Sequence, residues 1–103
     1  KKDMIISGGF NIYPSDLETV VRGHAAVADV AVVGVPSEQW GETPVAFVVR
    51  REGDGTTEAA LLQWTNEQLG KTQRLARLHF IDELPRSAIG KVLKRELRDL
   101  VGR

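Results

Sequence analysis

At 103 residues, 42% hydrophobic and 27% charged, the chain has the make-up of one ordinary globular domain with a modest core. With no cysteine it has neither a disulfide framework nor a thiolate metal site, and His24 and His79 lie far apart with no ligand-like spacing, so no metal ligand is named. The formal net charge is zero, yet residues 1–70 carry a net −5 and residues 71–103 a net +5, which points either to an anionic partner at the basic end or to a solvated basic helix.

No apolar run approaches the roughly 18 residues that span a bilayer, and no signal peptide is visible, so a cytoplasmic setting is expected. The chain opens Lys-Lys-Asp without an initiator methionine and runs almost at once into strand-like sequence. It reads as a piece of a longer protein.

"MIISGGFNIYP" reads as two short strands around Gly8-Gly9, a tight turn because both glycines tolerate positive φ. Pro14 closes the second strand. "SDLE", Ser15 to Glu18, has the form of a capping box, and Leu17, Val20 and Val21 give the following helix one apolar side until Gly23. "VADVAVVGVP", Val27 to Pro36, is apolar almost throughout, as in a strand buried on both faces. A loop over 37–43 contains Trp40-Gly41, and "PVAFVVRR", Pro44 to Arg51, is the strand expected to pair with the first.

After the "EGDG" turn, Thr57 opens a second helix with Leu61, Leu62, Thr65 and Leu69 on one side, ended by Gly70. "ARLHFIDEL" alternates as a further core strand, with Ala76, Leu78 and Phe80 on one face and Arg77, His79 and Ile81 on the other. Beyond a loop over 86–90, Leu93, Leu97, Leu100 and Val101 repeat at helical spacing. The expected fold is α+β: an N-terminal β-hairpin, then a small three-stranded sheet packed by about three helices.

Three features could carry chemistry: the Gly8-Gly9 turn, the loop from Arg86 to Lys91 inside "LPRSAIGKVLKREL", and the basic cluster Lys71, Arg74, Arg77. None is a complete active site. No phosphate-cradling glycine loop, nucleophile elbow or carboxylate pair is present. On its own, Lys91 reads as a surface lysine.

The segments "KKDMIISGGFNIYPSDLE", "VADVAVVGVPSEQWGETPVAFVV" and "FIDELPRSAIGKVLKREL", in that order and spacing, closely resemble the C-terminal domain of the adenylate-forming superfamily. That superfamily includes acyl- and aryl-CoA synthetases, adenylation domains of non-ribosomal peptide synthetases and beetle luciferases. The resemblance covers essentially the whole chain. It implies that residues 1–103 are the mobile lid domain of an ATP-dependent carboxylic acid–CoA ligase, of the fatty-acyl or a related class. Residues 1–14 would form the hinge-side hairpin and 15–103 the body, with the catalytic-lysine loop at 85–91.

By the same resemblance Lys91 is the adenylation lysine, and Gly90 lets it enter a crowded site. Lys2 falls at the hinge. Gly8, Gly9 and Phe10 match the hairpin that borders the pantetheine tunnel. Arg74, with Arg77 beside it, falls where family members contact the CoA phosphates; where many of them carry Lys-x-Pro, this chain reads Gln73-Arg74-Leu75.

ATP, Mg2+ and CoA are the implied cofactors of the parent enzyme, with none bound by this domain alone. Its partners are the N-terminal AMP-binding domain of the same chain and a small carboxylic acid. An acetyltransferase and deacetylase acting on Lys91 are also implied. Ile6 stands where luciferases carry a lysine, which argues against light-emitting chemistry. Two alternatives stay open: an adenylation domain that loads a carrier protein, and a small nucleic-acid-binding module using the basic end, which the leading reading excludes as a partner.

Overall fold

A computed structural model describes residues 3–101. In chain order its elements are β1 (Ile5–Ser7), β2 (Phe10–Ile12), α1 (Pro14–Arg22), β3 (Val27–Ser37), β4 (Gly41–Arg50), α2 (Glu58–Asn66), a 3-10 turn (Lys71–Gln73), β5 (Arg77–Phe80) and α3 (Lys94–Val101). The class is α+β, as expected.

β3 and β4 form the central ladder, antiparallel from Val27↔Arg50 to Ser37↔Gly41, with a register shift between Val27 and Asp29. Strand alternation sends successive residues to opposite faces. Val30, Val32, Ala46 and Val48 enter one core, closed by Leu17 and Val21 of α1, Leu61 of α2 and Leu78 of β5. Ala31, Val33, Val35, Val45 and Phe47 enter a second core, closed by Leu84 and by Leu97 of α3. Both faces are covered, which explains the unbroken apolar run of β3. Each fully buried Val or Leu contributes about 1.5–3 kcal/mol of transfer free energy.

β5 pairs with β4 in parallel, Val45↔Arg77 to Val48↔Phe80. The β1–β2 hairpin turns through Gly8 at φ +57° and Gly9 at φ +83°, the two positive angles a two-residue hairpin turn requires. It is not separate from the sheet, as the sequence suggested. Ser7 pairs with Gly41, the Gly8 N–H donates to the Trp40 carbonyl at 2.8 Å, and the Ile6 N–H donates to Glu42 Oε1 at 2.9 Å. All five strands therefore form one sheet.

The capping box is not built. Pro14, with its fixed φ, is already the first residue of α1, so Ser15 lies inside the helix, and Tyr13 is the N-cap with no side-chain cap bond. Glu18 acts elsewhere: its Oε2 accepts the Val32 N–H at 2.9 Å on the free edge of β3 and lies 3.2 Å from Lys94 Nζ. Arg98 Nε donates to the Gly34 carbonyl on the same edge at 3.2 Å. An unpaired strand edge invites intermolecular pairing; here side chains from α1 and α3 occupy it.

Thr57 does cap α2, its hydroxyl accepting the Ala60 N–H at 3.1 Å. In the turn just before it, hydrogen bonds from the Thr56 side chain and backbone hold the Asp54 carboxyl below its usual range. α2 ends at Asn66, ahead of the expected Gly70. Leu100, expected on the apolar side of α3, is 64% exposed, while the next residue, Val101, packs partly buried against the second core. Among the described residues no helix is long and apolar enough to cross a membrane.

Where the Ile5 side chain packs on β3, a Cβ on Gly34 would lie 2.9 Å from Ile5 Cγ1 and 3.3 Å from Glu42 Oε2. Ile5 is buried and has little room to shift. We expect Gly34→Ala to destabilise the domain by about 1–3 kcal/mol, the usual cost of overpacking, read as a lower urea midpoint with an unchanged slope. An unchanged midpoint would mean that the hairpin does not press on β3.

Candidate functional site

The loop after β5 closes on itself as a small hairpin. Arg86 and Val92 form an isolated antiparallel bridge, and the Leu93 N–H donates to the Pro85 carbonyl at 2.8 Å. At the tip, the Ser87 N–H donates to the Lys91 carbonyl (2.8 Å), the Gly90 N–H to the Ser87 carbonyl (2.9 Å) and the Lys91 N–H to Ser87 Oγ (3.3 Å). Such a three-residue loop needs positive φ at its last position, and Gly90 supplies it at +86°. A Cβ there would meet nothing within 4 Å, so inside this domain the glycine answers to the turn rather than to crowding. Ile89, at the tip, is 88% exposed.

Lys91 opens onto a groove of about 690 Å³, lined also by Asp3, Val92, Leu93, Lys94, Arg95, Glu96 and Arg98. Lys94 is neutralised there by Asp3 and Glu18, each at 3.2 Å. Among the described residues Lys91 has no ion-pair partner. Lys2, expected at the hinge, lies outside the described residues; its neighbour Asp3 is the one joined to Lys94.

A second groove, about 430 Å³, shares no lining residue with the first. Ser7, Gly8 and Phe10 of the hairpin, Trp40 and Thr43, and Lys71, Thr72, Arg74 and Ala76 line it. The structure thus joins two features that lie more than sixty residues apart in sequence. Gly9 stands at the turn without lining the groove, and a Cβ on it would meet nothing within 4 Å. Arg77 is not part of the groove either: its neighbour Leu78 enters the core, so alternation turns Arg77 to the other face.

The departure at Gln73-Arg74-Leu75 has a local answer. Asn66 grips Leu75 by both backbone groups, its Oδ1 accepting the N–H at 2.8 Å and its Nδ2 donating to the carbonyl at 2.9 Å. Arg74 is extended at φ −75°, ψ 147°, the conformation a following proline would enforce. Here Asn66 stands in for that constraint.

Trp40, half exposed, was passed over in the sequence as a loop residue. A Cβ on Gly8 would lie 3.0 Å from Trp40 Cε3, so the hairpin glycine rests on the indole. The one sequence signal was the Trp-Gly pair: Gly41, at φ +87°, closes the β3–β4 turn that presents the ring.

Part of the uneven charge is met within the fold. All three ion pairs among the described residues, Arg86–Asp29 and Lys94 with Asp3 and Glu18, join the basic end to acids of residues 1–70. Lys71, Arg74, Arg77 and Lys91 make no such pair. Among the described residues no group of His, Asp or Glu is placed to hold a metal ion.

Residues 16–91 match the family model of the AMP-binding enzyme C-terminal domain. The chain is 46% identical over 101 residues to 2-succinylbenzoate–CoA ligase of Geobacillus kaustophilus, covering 98% of this chain and 21% of that protein. It is 48% identical over 99 residues to the 3-[(3aS,4S,7aS)-7a-methyl-1,5-dioxo-octahydro-1H-inden-4-yl]propanoyl:CoA ligase of Mycobacterium tuberculosis, covering 96% and 20%. The crystal structure of apo MatB from Rhodopseudomonas palustris superposes with a TM-score of 0.91 at 40% identity, over 96% of this chain and 20% of that one. The chain spans about a fifth of the length of these relatives. It belongs to the family of AMP-binding enzyme C-terminal domains.

Proposed function

We propose that this domain is the mobile lid of an ATP-dependent carboxylic acid–CoA ligase and serves two half-reactions with two faces. The observation that carries the reading is the pair of grooves without a common residue, each holding cations that have no ion-pair partner among the described residues. The loop of the first is tied to Asp29 and the hairpin of the second to Gly41, near opposite ends of the β3–β4 ladder. Ser37, the partner of Gly41, lies eight residue steps along β3 from Asp29, a span on the order of 25 Å. Elements so far apart reach one reacting centre only in turn, which calls for a hinge. Lys2 is the proposed pivot.

In the first half-reaction a carboxylate oxygen attacks the α-phosphorus of ATP and the bond to pyrophosphate breaks, giving an acyl-adenylate. Two anions must meet, and negative charge stays on the phosphoryl oxygens in the transition state. The Lys91 ammonium, without an ion-pair partner among the described residues, offsets that repulsion. The same exposure leaves it open to an acetyltransferase, and acetylation would remove the charge the step needs.

In the second half-reaction the CoA sulfur attacks the acyl carbonyl and AMP leaves. The groove of Gly8, Phe10 and Trp40 suits the thin pantetheine arm, with Lys71 and Arg74 beside it for nucleotide phosphates; Arg77, on the other face, is left a peripheral role. Any Mg2+ carried by ATP would be held by the N-terminal AMP-binding domain of the full-length enzyme, as would the acyl pocket. Fatty acids and related carboxylates are the proposed substrates, in the cytoplasm, where ATP and CoA are at hand. The two curated relatives act, by name, on a succinylbenzoate and a ring-fused propanoate, both of them carboxylates that carry a ring.

One observation favours a carrier-protein acceptor instead. Met4, Ile6, Phe10 and Trp40 are 40–53% exposed, an apolar set of the kind a docking protein would cover. The adjoining unpaired Lys71 and Arg74 weigh the choice toward a free nucleotide thiol.

In the full-length enzyme, Lys91→Ala should slow adenylation by about 10²-fold or more, while thioester formation from pre-made acyl-adenylate survives. Pyrophosphate release and single-turnover thioesterification measure the two separately; an equal fall in both would end the two-face reading. The Lys71→Ala/Arg74→Ala pair should raise the KM for CoA by roughly 10-fold at low salt and less at high salt, with adenylation unchanged. A KM for CoA that stays put, with a carrier protein accepted in its place, would hand the groove to the second reading.

A further inference from the structure

We propose that Arg86 and Asp29 form a clamp that positions Lys91, an inference resting on the Lys91 role given above. The Arg86 guanidinium donates through Nη2 to Asp29 Oδ2 at 2.6 Å and through Nη1 to the Gly90 carbonyl at 2.8 Å. That carbonyl belongs to the peptide group joining Gly90 to Lys91, so fixing it fixes the plane from which the lysine departs.

Asp29 is itself held. It sits on β3 beside the register shift, and its Oδ1 accepts the Val30 N–H at 2.9 Å. The chain of contacts runs from the buried ladder through Asp29 and Arg86 to the peptide of Lys91. The other polar bonds at the tip, among Ser87, Gly90 and Lys91, close the turn on itself and tie it to nothing else. Arg86 is therefore the polar link between tip and sheet.

The pair is partly exposed, 42% for the Arg86 side chain and 34% for Asp29. Pairs of that kind add little to stability, so the clamp acts on geometry. An ammonium that must meet a phosphate and a carboxylate together has little tolerance, and a displacement of about 1 Å can cost up to 10²-fold in rate. A guanidinium holds two oxygens in a fixed fork, whereas a lysine offers a single ammonium for both.

The test uses the full-length enzyme, with single-turnover adenylation and thioester formation from pre-made adenylate measured separately. Arg86→Met should slow adenylation by about 10-fold, in kcat and not in the KM for ATP, and leave thioester formation intact. Arg86→Lys should recover part of the loss. Asp29→Ala should show the same selective loss, and combining it with Arg86→Met should be no slower than Arg86→Met alone. On a Lys91→Ala background, Arg86→Met should add nothing, because the clamp works through that lysine. A further loss on that background, or an equal fall in both half-reactions, would overturn the clamp. So would wild-type adenylation by Arg86→Met beside a slow Lys91→Ala, and in that case the role of Lys91 would stand. Normal adenylation by Lys91→Ala would instead remove the catalytic lysine, and the clamp with it.

Discussion

The β3–β4 ladder is the constraint on which the rest of this domain depends. Its strands are apolar on both faces, so neither face can be left in water, and the helices that cover them are thereby fixed in place. α1 and α2 close one side with Leu17, Val21 and Leu61, and α3 closes the other with Leu97. The ladder also supplies anchors near its two ends. At one, Asp29 receives Arg86 from the Lys91 loop; at the other, Trp40, Gly41 and Glu42 receive the N-terminal hairpin. A rigid strand pair thus sets the distance between the two candidate functional elements.

Electrostatics inside the domain select which cations remain available. Arg86 and Lys94 are matched by Asp29, Asp3 and Glu18, and Arg98 is bonded to the edge of β3. Among the described residues Lys91, Lys71 and Arg74 have no such match, and they face grooves. In water an ammonium without a counter-charge loses nothing. Brought against phosphate in a site that excludes water, it gains far more from the approach than a cation already paired. The +5 excess of the last third of the chain is therefore a poor guide to a partner, and the unpaired subset a better one.

The free edge of β3 shows how one residue can serve packing and placement together. Glu18 satisfies an otherwise unpaired N–H of Val32 and at the same time holds Lys94, the first residue of α3 and three residues past Lys91. Arg98 does the corresponding work for the Gly34 carbonyl one turn later. Edge protection and the seating of α3 behind the Lys91 loop are one set of contacts.

Local pattern determined much of this. The Gly8-Gly9 hairpin, the doubly buried β3, the Thr57 cap, the alternation of β5 and the amphipathic last helix follow from side-chain periodicity and from φ preferences that act within a few residues. The family of the domain, and with it the proposed role of Lys91, was legible in three motifs. Tertiary structure decided what those rules cannot reach. The Ser-Asp-Leu-Glu run has the pattern of a capping box, but Pro14 starts the helix two residues early and frees Glu18 for a strand fourteen residues away. Gly90 follows from the loop's own turn, yet the tie from Arg86 to Asp29 spans 57 residues and has no local signature. Trp40 and Arg74 share a groove only because the hairpin and the 3-10 turn are folded onto one end of the sheet. Contacts between distant segments depend on how whole faces bury one another, and a short window of sequence contains no record of that.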